Sequence, residues 1–306
     1  MPTQRRRRHA TRRTTEKTES TQTVATEFPR TQIENLSVSR LIMGTNWWLG
    51  YSHTSQAKDK EIVRRCTAEY VAEMIEAYLG SGVDTLLGPL PSPALQKGIQ
   101  IAQQKAGRKV IYLVTPSLNL AGDAKADEEN RRTFNQCAQL GCAVCMPHTS
   151  TTDALVDRVT HTIRGMDKFC RLIREAGMIP GLSTHMPEAP VYADESGLDV
   201  GTYIQIYNAV GFLMQIEVDW VHRMIWQCQK PVITIKPLAV NKLPPLAGLA
   251  FNWSTIRDQD MVCVGTSSPD EVREVVEISL SILERRTPVV QLQRTRSKAS
   301  VERKKK

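Results

Sequence analysis

The sequence contains no run of 18 apolar residues, so no membrane-spanning helix and no membrane partner is expected. A disulfide framework is missing too. Seven cysteines are scattered through otherwise apolar segments, the pattern of reduced, buried thiols in a cytoplasmic protein. One close pair, Cys142-Ala143-Val144-Cys145, has redox spacing. It falls inside a strand-like run rather than at a helix start, so it reads as packing. The first 32 residues have no apolar stripe. They hold Arg5-Arg6-Arg7-Arg8, yet also Glu16, Glu19 and Glu27, which argues against a signal or transit peptide. Initiation downstream of this tail, at Met43 at the latest, is compatible with the sequence. The C-terminal end is equally aperiodic and closes on Arg303-Lys304-Lys305-Lys306. The two basic tails carry essentially the whole net charge of +8 and leave the rest near neutral. They are expected to be disordered and solvated, and any contact with nucleic acid would be nonspecific.

Between the tails the chain repeats one unit eight times: a short run rich in Val, Ile and Leu, then a segment of helical period. The runs are Arg40–Asn46, Val83–Gly88, Lys109–Thr115, Cys142–Met146, Ile179–Thr184, Tyr203–Tyr207, Pro231–Lys236 and Met261–Thr266. Uniformly apolar runs suit parallel strands covered on both faces. Ala68 to Leu79 places Val71, Ile75 and Leu79 on one stripe. Val156 to Ala176 places Val159, Ile163, Met166, Phe169, Cys170 and Ile173 on another, with His161 mid-helix. Gly82, Gly107, Gly141 and Gly177 each stand between a helix and a strand, where a left-handed residue ends the helix. Ser268-Pro269-Asp270-Glu271 supplies a cap, a first-turn proline and two acids. Eight such units predict an α/β fold, a TIM (β/α)8 barrel over residues 33–287, flanked by tails at 1–32 and 288–306. The sixth unit has the least definite edges.

A barrel of this kind carries its chemistry on the loops after the C-terminal strand ends. Polar residues at or past those ends are Asn46, His53, Asp84, His148, His185, Glu188, Glu217, Asp219 and Lys236. His53, His148, His185 and Glu217 could hold a divalent metal through nitrogen and oxygen. Such a metal would suit a lyase, isomerase or epimerase acting on a small molecule. Lys236 ends an otherwise apolar strand, where a desolvated amine serves Schiff-base or acid–base work. Trp47, Trp48 and Tyr51 could form an apolar wall beside a ligand.

Five segments occur in order: Ser37 to Trp47 with its Gly44-Thr45 turn; Gly80-Ser81-Gly82-Val83-Asp84-Thr85; Gly181-Leu182-Ser183-Thr184-His185; Lys230 to Ala239 with Pro237-Leu238-Ala239; and Gly265 to Val272. Together they resemble the aldo-keto reductase superfamily over nearly the whole barrel. The resemblance implies an oxidoreductase that reduces carbonyls with a nicotinamide hydride from NAD or NADP. On that resemblance Asp84 and His148 match the catalytic aspartate and histidine. The tyrosine and lysine positions fall on Pro89 and Pro116, so the site is divergent, and Lys236 could supply an ammonium from across the mouth. Ser183, Thr184 and Gln205 match nicotinamide-binding positions, with Ile235 where an aromatic ring usually stacks. Gly44, Thr45, Gly265, Thr266 and Ser267 match the dinucleotide-binding turns. Gly265 and Glu271 stand where an adenosine 2'-phosphate would be held, which favours the unphosphorylated cofactor. A noncatalytic binding protein with attachment tails is the remaining alternative.

Overall fold

The computed structural model describes residues 27–293 and 295–301. The arginine run at 5–8 and the basic run at 303–306, and the expectations attached to them, lie outside the described residues. The chain enters through a hairpin of β1 (Arg30–Ile33) and β2 (Leu36–Ser39), paired antiparallel. This hairpin begins before the expected barrel start at residue 33.

Eight parallel strand positions follow. The first three are β3 (Leu41–Gly44), β4 (Thr85–Gly88) and β5 (Ile111–Val114). The fourth is β6 (Cys142–Cys145), whose cysteines are buried and free. The fifth is split into β9 (Ile179–Pro180) and β10 (Leu182–Ser183). The last three are β11 (Tyr203–Ile206), β12 (Val232–Ile235) and β13 (Met261–Gly265). The sheet runs β10-β11-β12-β13-β3-β4-β5-β6-β9, so the two halves of the fifth strand close the ring. Gly181 is the hinge. Its N–H donates to Cys145 O of one neighbour, while Leu182 N–H donates to Thr202 O of the other. A β-carbon at Gly181 would lie 2.7 Å from Met146 Cγ and 2.9 Å from Thr202 O, so only glycine passes there.

Side chains alternate along each strand. Ile42, Leu87, Leu113, Val144, Ile204, Ile233, Met261 and Cys263 fill the barrel interior. Leu41, Met43, Tyr112, Val114, Tyr203, Val232, Val262 and Val264 pack against the helices. Ile33 and Val38 of the hairpin are fully buried in the interior cluster and plug its N-terminal end. The opposite end is left as the mouth.

The covering helices are α1 (Asn46–Leu49), α2 (Gln56–Arg65), α3 (Ala68–Leu79), α4 (Pro93–Ala106), α5 (Ala124–Gln139), α6 (Thr149–Leu155), α7 (Met166–Glu175), α8 (Glu188–Glu195), α9 (Val218–Gln227), α10 (Pro245–Thr255) and α11 (Pro269–Leu283). A four-residue turn, α12 (Arg296–Ala299), lies in the C-terminal extension. Gly82, Gly107, Gly141 and Gly177 adopt φ of +78°, +62°, +75° and +85°, the left-handed stop that the spacing predicts. Ser268 caps α11 by accepting from Glu271 N–H.

One helix is not where periodicity puts it. Val156 to Ile163 forms a small hairpin of β7 (Val156–Asp157) and β8 (Thr162–Ile163), and α7 starts only at Met166. The Asp157 carboxylate accepts from Val159 and Thr160 N–H and turns the chain there. Gly165, at φ +68°, then admits the new helix. Val159 is 92% exposed at the hairpin tip, so its place on an apolar stripe was coincidental. His161 is therefore a turn residue, with its ring stacked on Tyr192 at 4.8 Å.

Candidate active site at the barrel mouth

Lys236 directly follows β12 in a left-handed conformation, φ +59°. Ala239, Val240 and Asn241 are left-handed as well. For residues with a β-carbon such backbone costs about 1–2 kcal/mol each, and such strain clusters at functional sites. The lysine is half-buried, with the Cys263 thiol within electrostatic reach. Burial lowers the Lys236 pKa, and the only opposing influence is the Cys263 thiol. No ion pair engages this ammonium among the described residues.

Three histidines share its electrostatic surroundings. His53 lies past α1 at φ +58°, with Nε2 3.4 Å from Asn46 Nδ2. His148 caps α6, and its Nδ1 accepts from Ser150 N–H at 3.2 Å. A neutral ring with Nδ1 accepting carries its proton on Nε2. His185 follows β10. Burial lowers the pKa of all three, and Lys236 lowers each further. His185 is pushed down to about 4 and also feels His148 and His53.

Asp153 on α6 orders this cluster. Its carboxylate accepts from Thr149 Oγ1 at 2.7 Å, Thr184 Oγ1 at 2.5 Å and His185 N–H at 3.2 Å. The sequence reading missed it. The signal was Thr149 four residues earlier, which puts both on one helical face. Asp153 opposes the lowering at His148 and His185, but less strongly than burial does.

This arrangement predicts acid lability. His185 is neutral in the folded protein down to about pH 4, whereas the unfolded chain takes up a proton near 6.5. Its contribution is intact above pH 6.5 and is lost as pH falls toward 4, by up to about 3 kcal/mol. Urea midpoints of the wild type should fall across that window, and His185→Asn should flatten the fall.

Several expected site residues lie elsewhere. Asp84 precedes β4, so it sits at the N-terminal rim, where Oδ2 accepts from Arg30 Nη1 of the hairpin at 2.8 Å. The match to Gly80-Ser81-Gly82-Val83-Asp84 ignored that the strand begins only at Thr85; residues at the mouth end of β4 are Gly88 and Pro89. Gln205 shares strand parity with Tyr203 and Tyr207, whose hydroxyls reach outward to Asp194 and Thr255. Its fully buried amide thus faces the helical layer, unpartnered, not the mouth. Glu217 and Asp219 are exposed at the start of α9, and Glu188 pairs with Arg158 at 2.5 Å. No group of three or more His, Cys, Asp or Glu is placed to hold a metal among the described residues. The expected ligand set of His53, His148, His185 and Glu217 does not assemble.

The positions matched to a dinucleotide are mostly satisfied by the chain itself. Thr45 Oγ1 donates to Leu87 O, Thr266 Oγ1 meets Tyr78 OH at 3.1 Å, and Thr184 serves Asp153. Ser267 N–H and Oγ both donate to the Glu271 carboxylate, so the anion site at the start of α11 is filled from within. A β-carbon at Gly44 would touch Val264 O at 3.0 Å. Trp47 covers Gly265, where a β-carbon would lie 2.7 Å from its Cδ1. Trp48 is buried with Nε1–H donating to Thr266 O, and Tyr51 is exposed. Ser183, on the interior face of β10, is the one matched polar side chain left open to the mouth. These residues do not fit a nicotinamide dinucleotide.

A surface cavity of about 400 Å³ lies between α7 and the end of α8. It is lined by groups such as Arg171, Leu198 and Asp199 and holds neither histidine nor lysine. The mouth is the stronger site. No helix among the described residues is long and apolar enough to cross a membrane.

No protein-family model matches the chain, and no curated protein does. Solved structures do. A putative aldo-keto reductase from Pseudomonas aeruginosa is similar at 15% identity, over 83% of this chain and 94% of that one, with a TM-score of 0.57. An aldo/keto reductase from Brucella melitensis is similar at 13% identity, over 84% and 98%, with a TM-score of 0.51. A putative 2,5-diketo-D-gluconic acid reductase B follows at 13% identity, over 85% and 92%, with a TM-score of 0.50. At these identities the likeness establishes the barrel fold and leaves the chemistry to this chain's own residues.

Proposed function

We propose that this barrel is an enzyme of carbonyl chemistry, a lyase, isomerase or epimerase that works through a Schiff base on Lys236. The observation that carries the reading is a half-buried strand-end lysine in a left-handed turn, without a carboxylate partner among the described residues and within electrostatic reach of three histidines. Desolvation favours the neutral amine, which is the nucleophilic form. The amine adds to the substrate carbonyl carbon, and the carbinolamine loses its oxygen as water. The resulting iminium draws electrons from a bond at the neighbouring carbon, giving an enamine. When that bond is C–H the proton passes to a base, for which His148 and His185 are the candidates. The enamine carbon then takes a proton back from the same base, which regenerates the iminium; water adds to the iminium, and its hydrolysis frees the lysine and releases the product carbonyl.

A nicotinamide-dependent reductase is the second reading. It is favoured by the likeness of the barrel to solved aldo-keto reductases and by Ser183 on the interior face of β10. No step is drawn through that cofactor, because the chain's own side chains fill most of the positions that would hold it.

Borohydride reduction in the presence of carbonyl compounds, followed by peptide mapping, tests the first reading. Lys236 should carry the adduct. Labelling spread over surface lysines, with none at Lys236, would defeat it. Titration with NADH and NADPH, read by tryptophan fluorescence near Trp47, tests the second. Millimolar dinucleotide should leave the emission unchanged; saturable quenching would restore the reductase.

A further inference from the structure

Helix α9 has one buried side and one bare side. Val221, Met224 and Ile225 are buried against the core. Asp219, Trp220, Arg223 and Trp226 recur at helical spacing on the opposite side, and all four are exposed. Trp220 is 57% exposed and Trp226 55%. Val210, Leu213 and Ile216, on the loop that leads into the helix, are exposed as well. At such exposures these five apolar side chains offer on the order of 500 Å², about the apolar share of the ~800 Å² that a standard interface covers on each side. The tryptophans are held in place. Trp226 Nε1–H donates to Thr255 O at 2.8 Å, and the Arg223 guanidinium lies 5.4 Å from the centre of the Trp220 ring. Arg223 and Asp219 stand four residues apart, a spacing that allows an ion pair. Arg223 lies on Trp220 instead, and neither charge joins an ion pair among the described residues.

We infer that this face of α9 is the contact surface of a homodimer, in which a second copy packs its own α9 antiparallel about a two-fold axis level with Val221. The inference is independent of the lysine reading. Charge decides the arrangement. With the axis at that level each Arg223 faces the partner's Asp219, and the contact occurs twice. The two Trp220 rings meet beside the axis. A parallel pair would set like charges against each other. A two-fold interface needs one patch that is complementary to itself. Opposite, unpaired charges spaced evenly about the axis beside an exposed tryptophan supply that match, which a partner of different sequence would not require. Tryptophan and arginine are also the side chains that carry most binding energy at interfaces.

Sedimentation equilibrium of the full chain, from about 1 to 200 μM, tests this. The chain should approach twice its monomer mass at the upper end. Trp220→Ala should weaken association at least about thirtyfold, the scale of one interface hot spot. Asp219→Arg and Arg223→Asp should each be monomeric alone, because each sets like charges across the axis. Mixed together, these two variants should form a one-to-one dimer, since every charge contact between them is again opposite. Urea midpoints near that of the wild type show that each variant is folded. A wild-type chain that stays monomeric at 200 μM overturns the inference and leaves the face to a different occupant. A dimer that survives all three substitutions, or charge variants that do not pair when mixed, overturns it too.

Discussion

Lys236→Met should reduce exchange of the pyruvate methyl protons with solvent deuterium by at least about a thousandfold, to the background of the buffer. Exchange of these protons above the buffer background reports the iminium-to-enamine step, because an iminium acidifies the neighbouring C–H bonds far more than the free ketone does. Proton NMR in deuterium oxide follows it without knowledge of the natural substrate. The same variant should fold at least as well as the wild type. Burial holds the folded-state pKa of Lys236 below its ordinary value of 10.5. Between the lowered pKa and 10.5 the unfolded chain binds more protons than the folded one. Lys236 therefore opposes folding at neutral pH, and its penalty fades as pH rises toward 10.5. Methionine keeps the stem's volume and removes the charge, so the melting temperature should hold or rise. Undiminished exchange by a folded Lys236→Met protein would sink the proposal.

Asp153→Ala should destabilise the protein by about 2 kcal/mol, since it removes the shared acceptor of Thr149 Oγ1, Thr184 Oγ1 and His185 N–H and leaves Thr184 Oγ1 only its weaker bond to Met186 O. The loss should reach the chemistry as well. His185 hangs from that carboxylate by its backbone, so its ring loses its position relative to Lys236. Proton exchange should fall about tenfold in the surviving folded protein, the lower range for displaced acid–base groups. Asp153→Asn keeps an acceptor and should show roughly half the loss of stability. Urea denaturation alongside the exchange assay separates the two effects. An alanine variant as stable as the wild type would mean that Asp153 does not organise the mouth.

Much of the architecture was legible beforehand, for a local reason. Each of the eight apolar runs is a strand because it is covered on both faces, and uniform apolarity says so in one dimension. The four glycines that end helices are equally legible, because a left-handed φ is a property of one residue. The Val156 to Ala176 segment was misread where a helical stripe and a polar turn competed. Asp157 captured two N–H groups and won.

The site was legible only in part. Lys236, His53, His148 and His185 were found because a barrel sends residues after strand ends to one place. Asp84 was misplaced because motif resemblance does not count residues along a strand. Gln205 was misplaced because its inward or outward sense depends on strand parity, which is fixed by packing against both layers. Asp153 was missed because its importance comes from Thr184 and His185, some 30 residues away in sequence and adjacent only across the barrel rim.

The sequence by itself determined the repeat, the hydrophobic faces and the helix stops, all of which follow from local conformational preference and burial pattern. Only the tertiary structure decided which end of each strand a polar residue occupies, and which carboxylates are already spent on the chain's own donors. Those are questions of distance between residues far apart in sequence. Closure of the ring at Gly181, which joins the strands on either side, brings the ends of all eight strands to one rim, where Lys236 and three histidines share electrostatic surroundings.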